Sequence, residues 1–173
     1  MIFRYTNLIN LPVFELQNQT RLGIVEDLII DKTGRKIYGL LIKNTGFFGG
    51  PPSIILNVDI AQTLEEVVLV GDNSALIPLL ESLPAKELYE KKNFGLDQKI
   101  ETESGQFLGK VYDYLFDDST LRVTKFYAHD FFKEFVLQSE DIIQFQGKKI
   151  IVKDRLKTIK LTGNKPATAK GSF

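Results

Sequence analysis

The sequence predicts a mainly β chain: two small β-barrels in tandem with a short helical linker between them. Three observations predict it. The segment Leu22–Asp31 recurs as Leu108–Asp117 with five of ten positions identical, so the chain contains an internal repeat. Each copy is built from short runs rich in Ile, Leu and Val, bounded by Asp, Asn, Ser and Gly, which is the pattern of strands joined by tight turns. Five or six short strands in about 70 residues would leave exposed edges in an open sheet, and closure into a barrel removes them.

The elements follow in order. Residues 1–73 form the first barrel. Gln17–Thr20 supplies an early turn, and Leu22–Ile30 and Ile37–Ile42 are strands. Between them, Asp31-Lys32-Thr33-Gly34 offers a carboxylate to bond its own backbone and a glycine for positive φ, the marks of a hairpin. Residues 74–93 form the linker, with short helical turns at 75–80 and 85–91 broken by Pro78 and Pro84. Residues 94–162 form the second barrel, where Glu103–Gln106 matches the early turn and Asp117–Thr120 makes the hairpin without glycine. The copies align at an offset of 86 around Gly23 and Gly109. Beyond the next hairpin the offset becomes 82, which puts Asp59-Ile60 on Asp141-Ile142 and Val68-Leu69-Val70 on Ile150-Ile151-Val152. The polar, Lys- and Gly-containing stretch 163–173 is expected to be a disordered tail.

Composition narrows the function. The 173 residues carry 22 basic and 22 acidic side chains, one His and no Cys. Zero Cys excludes disulfide scaffolds, thiolate zinc sites and thiol catalysis, and one His excludes multi-His metal centres. No apolar run approaches the roughly 20 residues that span a bilayer, and MIFRYTNLIN lacks the apolar core and cleavage site of a signal peptide. A cytoplasmic protein without a transmembrane segment is the expectation.

Charge is unevenly distributed. From Lys148 onward there are eight basic residues against one acid, so the preceding body is net acidic. Lys153, Arg155, Lys157 and Lys160 are therefore candidate contacts for an anionic partner.

The run Leu11-Pro12-Val13-Phe14, then Leu22–Asp31, Gly34-Arg35, the Gly46-Phe47-Phe48-Gly49-Gly50 loop and Ile54–Ile60 resembles the PRC-barrel domain. That family is named for the H subunit of photosynthetic reaction centres and also occurs in ribosome maturation factors. The second copy departs from it at Lys99, at Lys125 in place of Gly39, and in a Phe131-Phe132 loop without glycines. The resemblance implies tandem PRC-barrels acting as non-catalytic interaction or assembly modules, and it implies fold more strongly than function.

Catalytic constellations are wanting. His129 is the only imidazole and has no nucleophile elbow beside it, so it reads as a structural or exposed residue. Asp27 with Asp31, and Asp113 with Asp117, lie four apart. In a strand that is about 13 Å, too far to share a proton or an ion, and turn formation explains Asp31 and Asp117; a weak divalent-ion site at Asp117-Asp118 is the minor alternative. The glycine-rich loop 46–50 leads into a strand and not a helix, so it implies no phosphate loop. Neither a metal nor a cofactor is expected, and the protein is not expected to be an enzyme.

What remains are two pairs of adjacent aromatics on loops, Phe47-Phe48 and Phe131-Phe132. Apolar loop tips anchor partners; folding back to plug the barrel end is their other use. These loops and the groove between the barrels are the candidate contacts with a protein partner. Two rival readings are an RNA-binding ribosome-assembly or RNA-processing factor using the basic C-terminal segment, and a peripheral subunit or assembly factor of a membrane, photosynthetic complex.

Overall fold

The computed structural model describes residues 2–31, 33, 35–44, 50–63, 66–91, 96–155 and 159–160. The expected tail at 163–173 lies outside them. The first half runs β1 (Ile2–Arg4), α1 (Tyr5–Leu8), β2 (Pro12–Glu15), β3 (Arg21–Ile30), β4 (Ile37–Lys43), β5 (Ser53–Leu56), β6 (Ile60–Thr63), β7 (Val68–Val70), β8 (Leu76–Pro78) and α2 (Leu83–Lys91). The second half runs β9 (Lys99–Thr102), β10 (Phe107–Asp117), β11 (Arg122–His129), β12 (Glu134–Gln138), β13 (Ile142–Gln146), β14 (Lys149–Val152) and β15 (Ile159–Lys160).

The chain is mainly β, and the sheet order repeats. The first sheet is ordered β6-β7-β2-β3-β4-β5-β8 and the second β13-β14-β9-β10-β11-β12-β15. Even the last strands correspond: Ser53 pairs with Pro78 and Ile54 with Ile77, while 82 residues later Phe135 pairs with Lys160 and Val136 with Ile159. The structural repeat thus runs on into β15, inside the basic segment.

Bulges bend the long strands. Register shifts occur at Val25/Asp27 and Ile29/Ile30 in β3, and at the equivalent Val111/Asp113 and Leu115/Phe116 in β10. A bulge increases local twist and bends the strand, so each sheet curls over its apolar face as a half-barrel. Full closure is the expectation from strand count. Among the described residues, however, β6 does not pair with β8, nor β13 with β15; short terminal strands of two to five residues limit the exposed edge instead.

The repeated glycine of each copy has a packing reason. A Cβ on Gly23 would lie 2.6 Å from the Lys43 carbonyl oxygen, and one on Gly109 would collide with the equivalent carbonyl of His129. Only glycine lets β3 approach β4, and β10 approach β11, so closely.

The region between the copies is not a separate connector. Leu76–Pro78, expected within a helical turn, is strand β8 on the edge of the first sheet, with single 3-10 turns at Asn73–Ala75 and Leu79–Glu81 on either side. Burial of its neighbours overrides local propensity there. Helix α2 then covers the outer face of the first sheet, where Leu79 and Ala85 pack with Ile29, Leu41 and Ile54.

The first strand crosses over to the other half. β1 pairs with β10 through Ile2–Asp117, Phe3–Phe116 and Arg4–Leu115, and the Phe3 ring stacks on Phe116 with centroids 5.9 Å apart. Consequently one apolar core runs through both halves, from Val13, Val25 and Leu40 to Val111, Phe116 and Phe126. The halves also meet at a short seam. Lys36 bridges to Arg122, the Ile37 amide donates to the Leu121 carbonyl at 2.8 Å, and the Val123 amide to the Arg35 carbonyl at 3.0 Å. Lys36 and Arg122 are 86 residues apart and the same offset carries each of the two bonds onto the other, so the seam has the reciprocity of a two-fold interface.

Candidate partner-binding site

The hairpin between β11 and β12 is closed by the pairing of His129 with Glu134, leaving a four-residue loop, Asp130–Lys133. Asp130 organises it. Its Oδ1 accepts from the Phe132 and Lys133 amides, both at 2.7 Å, and its own amide donates to the Lys133 carbonyl at 3.0 Å. Those two amide bonds hold the Asp130 carboxyl below the usual carboxylate range. A loop so bonded holds its backbone in one conformation. It presents Phe131 at 93% and Phe132 at 90% exposure, standing out from the barrel end instead of plugging it.

Behind the tip, the outer face of the second sheet is aromatic. Tyr112 lies between Tyr127 and His129, with centroids at 6.1 and 5.7 Å. Arg4 sits over the Tyr127 ring at 4.6 Å and beside Asp113 at 3.6 Å. Burial raises the Tyr112 hydroxyl above its ordinary range, and Glu134 adds to the shift. The His129 Nδ1 lies 3.3 Å from the Asp130 carbonyl oxygen, and the exposed ring has this local, structural neighbourhood.

The matching pair in the first half, Phe47 and Phe48, lies outside the described residues. At the base of that loop the Asn44 side chain donates to the Pro51 carbonyl at 3.2 Å.

The basic segment is partly built into the fold. Lys153 Nζ donates to the Glu140 carbonyl at 2.8 Å, and Asp154 accepts from the Ser104 amide at 3.0 Å, which lowers its carboxyl. Arg155 is exposed, Lys157 lies outside the described residues, and Lys160 lies on β15.

The repeated carboxylates have structural partners. Asp31 Oδ1 accepts from the Thr33 amide and hydroxyl, and Asp117 Oδ1 from Ser119 and Thr120. Asp27 and Asp113 do something the sequence spacing did not indicate: they grip the N-terminal segment. Tyr5 Oη donates to Asp27 at 2.8 Å, while the Thr6 hydroxyl and amide donate to Asp113 at 2.9 and 3.2 Å. Among the described residues, no three His, Asp or Glu side chains converge as a metal site, and no helix is long and apolar enough to cross a membrane.

In comparison with known proteins, residues 1–83 match the family model of the PRC-barrel domain. No curated protein matches the chain.

Proposed function

We propose that this chain, whose first 83 residues are a PRC-barrel domain, is a non-catalytic adaptor that binds a protein partner through its aromatic hairpin. Domains of this family are in general non-catalytic modules of interaction and assembly. The observation that carries the finer reading is the Phe131-Phe132 tip: two adjacent phenylalanines, each about nine-tenths exposed, on a loop held by three hydrogen bonds of Asp130. Burying such side chains contributes roughly 1.5–3 kcal/mol each, and a preorganised loop loses little entropy on docking. Phe47 and Phe48 are the corresponding anchor in the first half.

The test is quantitative recovery of bound protein from native lysate by the full chain, beside a Phe131→Ser, Phe132→Ser variant. Loss of a stoichiometric partner in the variant, with an unchanged circular dichroism spectrum, is the expected result. Equal recovery by both proteins would overturn the assignment to this loop.

The RNA reading rests on Arg155, Lys157 and Lys160 together with Lys153. Lys153 donates to the Glu140 carbonyl and keeps its charge; the exposed aromatic tip is what favours the adaptor. Salt-sensitive co-sedimentation with ribosomal particles, lost when all four are changed to Glu, would reverse that preference. Cell fractionation separates peripheral association with a membrane complex from both.

A further inference from the structure

Where the two halves meet, a cleft of about 600 Å3 opens beside the seam, lined by Asp31, Arg35, Lys36, Arg122, Ile143 and Phe145 among others. We propose that this cleft binds an organic phosphate: a phosphomonoester held by Lys36 and Arg122, with its planar apolar body against Ile143 and Phe145.

The electrostatics of the seam favour an anion there. Lys36 and Arg122 are direct cross-strand partners. The flanking bonds, Ile37 amide to Leu121 and Val123 amide to Arg35, make them a non-hydrogen-bonded pair, the kind whose side chains stand closest. Like charges directly opposed in this way destabilise a sheet. Neither cation forms an ion pair among the described residues. The one acid among the described residues lining the cleft, Asp31, has its Oδ1 occupied by its own turn, accepting from the Thr33 amide, the Thr33 hydroxyl and the Arg35 amide. Arg35, a third cation in the lining, is fixed by a 2.8 Å bond from Nη2 to the Ile142 carbonyl. An anion between Lys36 and Arg122 removes the repulsion, and guanidinium is suited to bidentate contact with phosphate.

The opposite wall selects the rest of the ligand. Ile143 is 42% exposed and Phe145 half-buried, an apolar surface next to a cationic one. Nucleoside monophosphates combine a dianionic end with a flat body in that arrangement. The cleft also falls in the size range of small-molecule sites, about 300–1,000 Å3. A nucleic-acid strand also sets an anionic phosphate beside a flat base, although its phosphates are singly charged diesters, so the test includes both sources.

The experiment titrates the full chain with AMP, ribose 5-phosphate and an oligonucleotide lacking terminal phosphate, following amide chemical shifts at low ionic strength. Expected is saturable AMP binding mapped to residues 35–36, 122 and 143–145, weaker binding of ribose 5-phosphate, and weakening by at least about tenfold in Lys36→Gln, Arg122→Gln. Lys86→Gln, on α2 and outside the cleft lining, should leave binding unchanged. Without ligand, Lys36→Gln should raise Tm at low salt by removing the repulsion, with the gain shrinking as salt screens it. Absence of saturable AMP binding, equal weakening by Lys86→Gln, or a lowered Tm in Lys36→Gln would each overturn the proposal. Tighter binding of the oligonucleotide than of AMP at the same residues would overturn the small-molecule assignment and give the cleft to a nucleic-acid strand.

Discussion

At the residue scale, aspartates recur at equivalent positions and do two different jobs. Asp31 and Asp117 cap hairpins within a few residues of themselves, so their role is readable from local spacing. Asp27 and Asp113 bond residues 22 and 107 positions away, which no local pattern reveals. Asp113 is 2% exposed and accepts from Thr6 and, at 2.9 Å, from the Tyr114 amide. Asp113→Ala strips that buried amide of its acceptor and should cost about 2–3 kcal/mol in chemical denaturation, with Asp113→Asn milder because one acceptor oxygen remains. Asp117 lies nearer the surface and is only partly buried. Hydrogen bonds from Ser119 and Thr120 lower its pKa from 3.8 to about 2. A carboxylate depressed in the folded state stabilises above its unfolded pKa, and that stabilisation is lost as pH falls from about 4 toward about 2. Asp117→Asn should therefore flatten the fall of Tm with pH in that window while leaving the slope near neutrality unchanged.

At the scale of elements, the aromatic hairpin depends on a residue far from its tip in sequence. Gly109 on β10 lies against the His129 carbonyl and the Phe135 ring, at the base of the β11–β12 hairpin. Gly109→Ala places a methyl group into that contact and should destabilise by about 1–3 kcal/mol, with faster amide exchange in residues 128–135 than in the first sheet. Equal exchange in both sheets would show that the hairpin does not rest on this approach. The existence of the hairpin was legible in the sequence, since Tyr127–Lys133 breaks a strand pattern at an Asp. That its two phenylalanines face water was not legible, because an apolar pair on a loop is equally compatible with folding inward. The choice was made by the short Asp130 turn, whose bonds leave both side chains outside. Strand β8 was misread as helical for a related reason: three residues carry too little periodicity, and its pairing with β5 is a tertiary contact.

At the scale of the whole molecule, the two repeats share a strand, an N-terminal grip and a core. β1 lies in the second sheet, Tyr5 and Thr6 are gripped by one aspartate from each half, and a single apolar core passes through both. Heat or denaturant unfolding should then be a single transition, coincident by circular dichroism and by tyrosine fluorescence; two separated transitions would mean independent halves. Phe3, 5% exposed, is the sharpest probe. Phe3→Ala should lower stability by roughly 3 kcal/mol and should do so for both sheets together, although the residue precedes the first repeat. The sequence by itself determined the duplication, the mainly β class, the hairpin turns and the glycine positions, because each follows from local chemistry or from comparing one copy with the other. The crossover of β1, the shared core, the grip of Asp27 and Asp113 and the opposition of Lys36 to Arg122 were decided only in three dimensions. Each of these joins residues distant along the chain, whose proximity is set by how two curled sheets pack and not by any pattern either copy carries alone.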